Sequence, residues 1–373
     1  MSEKIRVMIV DDAVVVRRML ASLLVADPAF EIVGTAENGR IALDKLEELQ
    51  PDVMILDLEM PEMNGIETLV ALRRKDSTLP VVAFSSSTDR GAAITLEALA
   101  QGATDYVTKP SSMRGGQSAI DTIRDELIPK LKAFSRLRQR PGWSSSFEAR
   151  EPDRVNSLDR VKAPKSSVPA HKLTASAGFR VLAIGTSTGG PNALAEVVSG
   201  LPADFPIPVL IVQHMPPIFT RSLAERLSTL SHLKVVEGKT GDILEPGLVY
   251  IAPGDYHMIV ERTSENEVVI RTHQKSPEHS CRPAVDVLFR SVSEVYNNKV
   301  LAVVMTGMGR DGVDGCGKIK RSGGTVWVQD KKSSVVWGMP GLVAKQGLAD
   351  KVISLKSLGK ELCRIIYGME IYR

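Results

Sequence analysis

The sequence predicts two α/β domains joined by a tether, and three observations lead there. Short β-branched runs alternate with helical patterns from Ile5 to Phe134 and again from Arg180 onward, as parallel sheets covered on both faces require. Between them, from about Arg136 to Arg180, the chain is rich in Ser, Pro and Arg and follows neither period, as linkers do. The length of 373 residues, 43% of them hydrophobic, suits two or three domains with cores of their own.

In the first domain, expected over residues 4–134, the strands are IRVMIV, EIVGTA, DVMILDL, PVVAFSS and TDYVTK, separated by helical segments such as GRIALDKLEEL and GIETLVALRRK. The last helix spaces Ile120, Ile123, Leu127, Ile128 and Leu131 on one stripe, with Pro129 expected to kink or split it. The tether is assigned to 135–179. In the second domain, 180–373, RVLAIG, PVLIVQH, VLAVVMTG and TVWVQD read as core strands, each followed by a helix such as FTRSLAERLSTL. The segments LKVVEG, GLVYIAP, YHMIVER and EVVIRTH read as an added antiparallel stretch.

Composition narrows the function classes. The net charge of +3 is small, and it is local: residues 136–180 hold ten Lys or Arg against four Asp or Glu, which leaves the rest of the chain at −3. Outside the tether the chain is not basic in sum, so composition gives no argument for nucleic acid, and a cationic tether points at most to docking on an acidic partner. Cys281, Cys316 and Cys363 are far apart and form no metal or disulfide framework. With no signal-peptide core and no apolar run of about 18 residues, the expectation is a soluble cytoplasmic protein without membrane insertion.

Two constellations carry chemistry. Asp11 and Asp12 follow the first strand and Asp57 ends the third, so three carboxylates converge at strand ends, where open parallel sheets bind ligands. Clustered carboxylates call for a hard divalent cation, and Mg²⁺ accepts phosphoryl oxygens as well. Ser85 and Lys109, after the fourth and fifth strands, would supply a hydroxyl and an ammonium to a phosphoryl group on Asp57. Any one of these alone reads more simply as a cap, a turn or a solvated lysine; the set does not. The segment from about 4 to 134 resembles a response-regulator receiver domain, carried by Asp11, Asp12, Asp57 in DLEMPEMNG, Ser85, Tyr106 and Lys109-Pro110. The resemblance implies a flavodoxin-like five-stranded parallel sheet, Mg²⁺ on Asp11, Asp12 and Asp57, and phosphorylation of Asp57. It also implies a switch made of Ser85, Tyr106 and Lys109, and a cis bond between Lys109 and Pro110.

In the second domain, Ser187 occupies a Gly-x-Ser-x-Gly between a strand and a helix, the setting of a nucleophile elbow, although a serine cap in a glycine turn is the simpler reading of that motif alone. Of six histidines, His214 ends the next core strand; His171 lies in the tether, His232 in a polar turn, and His257, His273 and His279 read as surface or turn residues. Asp311 follows the strand VLAVVM and would orient the imidazole, with Asp286 and Asp255 as substitutes. The rival is Gly307-Met308-Gly309-Arg310-Asp311-Gly312, a dinucleotide-type Gly-x-Gly-x-x-Gly with Asp330 on the next strand. Against it, DGVDGCGKIKRSGG is poor helix material, and the rival leaves Ser187 and His214 idle. A DNA-binding effector, the third class, should carry a basic helix-turn-helix, and this domain is strand-rich and glycine-looped.

The region from about Arg180 onward resembles the catalytic domain of the chemotaxis protein-glutamate methylesterases, carried by AIGTSTGGPNAL, VQHMP, APGDYHM, RPAVDVLFRSV, VVMTGMGRDG and VVWGMP. The resemblance implies a doubly wound domain without a cofactor, Ser187 as nucleophile, His214 as general base and acid, Asp311 as orienting carboxylate, and Thr188 and Met308 near the oxyanion. It further implies demethylation and deamidation of methyl-accepting chemoreceptors, a histidine kinase of the CheA type as phosphodonor, and a receiver that covers the cleft until phosphorylated.

Overall fold

The computed structural model describes residues 4–76, 78–109, 116–137 and 178–368, with the side chains of 116–119 set aside. The first half alternates β1 (Ile5–Val10), α1 (Val14–Val25), β2 (Phe30–Ala36), α2 (Gly39–Leu49), β3 (Val53–Asp57), α3 (Gly65–Lys75), β4 (Val81–Ser85), α4 (Asp89–Ala100), β5 (Asp105–Thr108) and α5 (Gly116–Phe134). All five strands are parallel, in the order β2-β1-β3-β4-β5. Every residue of β3 and β4 is buried, because helices cover both faces.

Local chemistry fixes the helix ends. Asn64 and Glu67 form a capping box at the start of α3, and Arg73, Arg74 and Lys75 meet its C-terminal dipole. The buried Arg73 guanidinium donates to Gly102 O from Nε at 3.1 Å and from Nη2 at 2.6 Å, tying α3 to the turn before β5. Helix α5 runs unbroken through Pro129, so the expected split does not occur. Pro129 and Asp125 are both exposed, so the carbonyl that loses its N–H partner faces water. The Lys109–Pro110 bond and residues 138–177, the bulk of the expected tether with His171, lie outside the described residues.

The second half contains β6 (Val181–Thr186), α6 (Gly190–Ser199), β7 (Val209–Gln213), α7 (Phe219–Leu230), β8 (Lys234–Glu237), β9 (Leu248–Ile251), β10 (His257–Arg262), β11 (Val268–His273), α8 (Val285–Tyr296), β12 (Val300–Val304), α9 (Val313–Arg321), β13 (Thr325–Gln329), α10 (Met339–Lys345), β14 (Lys351–Ile353) and α11 (Leu355–Tyr367). Its sheet is parallel throughout, in the order β14-β13-β12-β6-β7-β9-β8. Among the strands of the described residues, only β10 and β11 form an antiparallel pair. The expected antiparallel stretch is therefore half as large: LKVVEG and GLVYIAP join the main sheet as β8 and β9. The ten residues between them are enough to carry the chain back to the starting edge, so no hairpin is imposed.

Strand alternation divides the second core. Leu182, Ile184, Leu301 and Val303 face one layer, while Val181, Ala183, Val300, Ala302 and Val304 face the other. Strand β6 lies between β7 and β12, so the winding reverses there and a crevice opens beyond its C-terminal end.

The first layer continues into the first half. The Tyr106 ring stacks on Phe219 with centroids 5.0 Å apart and planes within 5°. Asn192 Nδ2 donates to Leu99 O at 2.9 Å, and the Arg226 guanidinium donates to Leu96 O. Thus α6 and α7 rest on the C-terminal part of α4 and on β5.

Candidate functional site

Two sites occupy equivalent places at the C-terminal ends of the two parallel sheets. In the first half, Asp11 just beyond β1 and Asp57 at the end of β3 flank Lys109 just beyond β5. Its Nζ is 3.0 Å from Asp11 Oδ2 and 2.8 Å from Asp57 Oδ2. One oxygen from each of Asp11, Asp12 and Asp57 lies within 4.8 Å of the others. Asp11 Oδ2 is buried and has the Lys109 charge beside it but no aligned hydrogen-bond donor, so an acceptor is left for a cation. Burial pushes the Asp57 carboxyl up to about 6 despite Lys109, and the Asp11 charge adds to the rise. Ser85 Oγ, at the end of β4, is engaged with Gly91 O at 3.2 Å and Thr95 Oγ1 at 2.5 Å, both on α4.

In the second half, the ends of three adjacent strands carry Ser187, His214 and Asp311. Hydrogen bonds stitch these ends together. Ser187 N donates to Thr306 O at 3.0 Å, Thr186 Oγ1 to the same carbonyl at 2.8 Å, and Thr306 Oγ1 to Thr188 O at 2.9 Å. Gln213, 2% exposed, sends Nε2 to Ser187 O at 3.0 Å and to His214 O at 3.2 Å, so one amide fixes the backbone of both residues. Gly189 takes φ = 75°, which lets the chain turn sharply into α6. Gly307 is needed for space, since a Cβ there would lie 2.9 Å from Ser187 Cβ.

Asp311 is 2% exposed and fully engaged. Its Oδ2 meets His214 Nε2 at 2.8 Å and accepts from Val285 N at 2.6 Å, while Oδ1 accepts from Asp286 N at 2.9 Å. The carboxylate therefore caps α8 while it orients the imidazole. Burial works against its charge, but His214 and the two N–H groups outweigh burial and hold it below the usual carboxylate range. Burial likewise opposes a charge on His214, yet Asp311 and Cys281 prevail and lift its pKa to about 10.

The substitutes for Asp311 are engaged elsewhere: Asp286 Oδ2 pairs with His279 Nε2 at 3.0 Å, and Asp255 Oδ1 with Arg282 Nε at 3.0 Å. Thr188 is buried beside Ser187, and Met308 is half-buried in the loop before Asp311. His257, expected at the surface, is 1% exposed, with Nε2 on Ser276 O at 3.1 Å. It starts β10 opposite His273, and the hairpin packs inward on that side. The segment judged poor for a helix does form α9, because its glycines allow close packing: a Cβ at Gly315 would lie 2.5 Å from Phe289 Cβ. The dinucleotide rival gains nothing from this helix. Gly307 closes on Ser187, and Asp330 Oδ1 is taken by Ser333 N at 2.9 Å and Ser333 Oγ at 2.5 Å.

Sequence reasoning missed Gln213, Phe219 and Cys281, whose Sγ is 3.5 Å from His214 Nδ1. The apolar-strand context flagged His214 but gave no reason to single out its polar neighbour Gln213. Cys281 stands 67 residues from His214 in the chain, and no local spacing announces it.

Residues 7–121 match the response regulator receiver domain family, and residues 182–362 match the CheB methylesterase family. A protein-glutamate methylesterase/protein-glutamine glutaminase of Trichodesmium erythraeum is 46% identical over 366 residues, 97% of this chain and 99% of its own length. The chain belongs to the protein-glutamate methylesterase/protein-glutamine glutaminase family. A second member, from Nocardioides, is 46% identical over 362 residues, 96% of this chain and 95% of its own. Among solved structures, the catalytic domain of the Thermotoga maritima CheB methylesterase is 41% identical and covers 50% of this chain and 99% of its own, with a TM-score of 0.49. In this methylesterase, the carboxylate pocket belongs to the receiver and the Ser187 crevice to the methylesterase domain. Among the described residues, no helix is long and apolar enough to cross a membrane.

Proposed function

We propose that this methylesterase hydrolyses glutamate γ-methyl esters, and deamidates glutamines, on the cytoplasmic helices of chemoreceptors, and that phosphorylation of its receiver by a CheA-type histidine kinase releases the activity. The observation that carries the reading is the His214–Asp311 pair, 2.8 Å apart, at strand ends flanking Ser187. Because Asp311 holds Nε2, the base nitrogen is Nδ1. Ser187 Oγ attacks the ester carbonyl carbon as its proton passes to Nδ1, and the N–H groups around Thr188 and Met308 face the oxyanion. The Nδ1 proton then goes to the departing methoxide, and methanol leaves an acyl-serine. Water, deprotonated by Nδ1, cleaves that ester to a carboxylate and returns the proton to Ser187. With a glutamine substrate, ammonia departs in place of methanol.

In the receiver, Asp57 Oδ would attack the phosphorus of a phosphohistidine and break the P–N bond. Asp11, Asp12 and Asp57 would hold Mg²⁺, which neutralises charge on the phosphoryl oxygens when bound. Lys109 pairs with the new dianion, and Ser85 turns toward it, leaving Gly91 and Thr95 of α4. Since α4 and Tyr106 carry the contact with α6 and Phe219, this movement loosens the cover over the Ser187 crevice.

The test is methanol release from methyl-labelled receptor membranes, with and without a small phosphodonor. Ser187→Ala should lose activity on the order of 10⁴-fold or more, and Asp57→Ala should keep basal release but lose stimulation. Undiminished release by Ser187→Ala would refute the triad.

A further inference from the structure

The base nitrogen of His214 already has a partner, and it is not Ser187. Among the described residues, no hydrogen bond joins the Ser187 hydroxyl to His214, whereas Cys281 Sγ lies 3.5 Å from Nδ1. The sulfur is held there by a tight hairpin. Glu278 N donates to Cys281 O at 3.1 Å, and Cys281 N returns the bond to Glu278 O at 2.8 Å. The two residues between them, His279 at φ = 51° and Ser280 at φ = 62°, are both in the left-handed region without being glycine. Such a turn costs about 1 kcal/mol or more at each residue, and it persists only where the surroundings over-determine it.

The surroundings do so here. Glu278 Oε1 accepts from Arg290 Nη2 at 2.5 Å, and His279 Nε2 bonds Asp286 Oδ2 at 3.0 Å. Asp286 N in turn donates to Asp311 Oδ1 at 2.9 Å. The hairpin that presents the sulfur is thus anchored on α8, whose N-terminus the orienting carboxylate caps. Strain maintained by two anchors beside a reacting atom marks a built contact.

We propose that Cys281 is a positioning residue of the esterase: the strained hairpin sets its sulfur against Nδ1 of His214 in the resting enzyme, and the sulfur yields that nitrogen to Ser187 when substrate binds. The proposal rests on the triad reading, because Nδ1 matters only if His214 is the base. The charged or titratable groups acting on the imidazole are Asp311 at Nε2 and Cys281 at Nδ1, and both favour its protonated form. Removing the sulfur therefore frees the base at lower pH.

The experiment is the pH profile of kcat/KM for methanol release by the full-length protein, since this quantity reports groups of the free enzyme. Cys281→Ala should move the acid limb down by about one pH unit and raise the rate on that limb about tenfold. Cys281→Ser, whose hydroxyl keeps a hydrogen-bonding group at a smaller atom, should fall between the two and serves if the alanine variant does not fold. A uniform loss at every pH, or an unmoved acid limb in both variants, overturns the proposal while leaving the triad intact. Ser187→Ala run alongside separates the two readings. Activity retained by Ser187→Ala and abolished by Cys281→Ala would make sulfur the nucleophile and overturn both.

Discussion

Asp57 and Asp311 are the same residue at the same depth, each 2% exposed at the C-terminal end of a parallel sheet, yet their carboxyls are driven in opposite directions. Asp57 shares one lysine with a second buried carboxylate and is pushed up to about 6; Asp311 has an imidazole and two N–H groups to itself and is held down. The difference lies in whether the fold supplies enough donors. Where it does not, buried charge waits for a ligand from outside. Where it does, the site can move a proton within itself. One architecture thus provides both a carboxylate pocket short of donors and a His–Asp pair whose donors are all internal.

The same Asp→Asn change should therefore have opposite consequences in the two places. At Asp311 it is expected to lower kcat/KM about 10⁴-fold, as loss of the correct tautomer does in other triads. Urea unfolding with divalent metal chelated should show Asp311→Asn losing about 3 kcal/mol, because a buried ion pair and a helix cap are broken together. Asp57→Asn should gain about 1 kcal/mol, because one of two like buried charges is removed. Equal signs for the two variants would break the comparison.

Its pH dependence sharpens it further. The folded state raises the His214 pKa from 6.5 to about 10, so that contribution to stability is complete below about 6.5 and is lost as pH rises through about 10. Asp311 is lowered from 3.8, so its contribution is present above 3.8 and fades in acid. The stability gap between wild type and Asp311→Asn should accordingly be widest between the ordinary carboxylate value of 3.8 and the ordinary imidazole value of 6.5, and close toward both extremes. A smaller effect is expected where the halves meet. Removing both side-chain donors to α4 carbonyls with Asn192→Ala and Arg226→Gln should raise unstimulated methanol release about tenfold, at roughly 0.7 kcal/mol for each bond.

The candidate triad was legible because parallel sheets leave few positions for chemistry: a polar residue directly after an apolar strand is either a cap or a site, and Ser187, His214 and Asp311 follow adjacent strands. The carboxylate pocket was legible for the same reason. What escaped depends on contacts distant in sequence. The course of β8 and β9 follows from which edge a loop returns to, α9 is stabilised by glycines packed against α8, and the burial of His257 depends on where a hairpin folds. Pro129 misled because its effect turns on which side of α5 meets water. Cys281 reaches His214 through a turn that no propensity favours.

The donors on Leu96 O and Leu99 O have a further consequence. Helix α4 has no basic residue in its last turn, and Asn192 and Arg226 of the methylesterase domain supply donors there. For the receiver, the docked enzyme is in effect a ligand of its resting conformation. Coupling between two equilibria is reciprocal, so on the proposed regulation whatever factor phosphorylation takes from docking, docking takes from the stability of the acyl phosphate. A receiver cut free of its enzyme should hold its phosphoryl group more readily than the intact chain, and the chain should report its own occupancy through hydrogen exchange in the last turn of one helix.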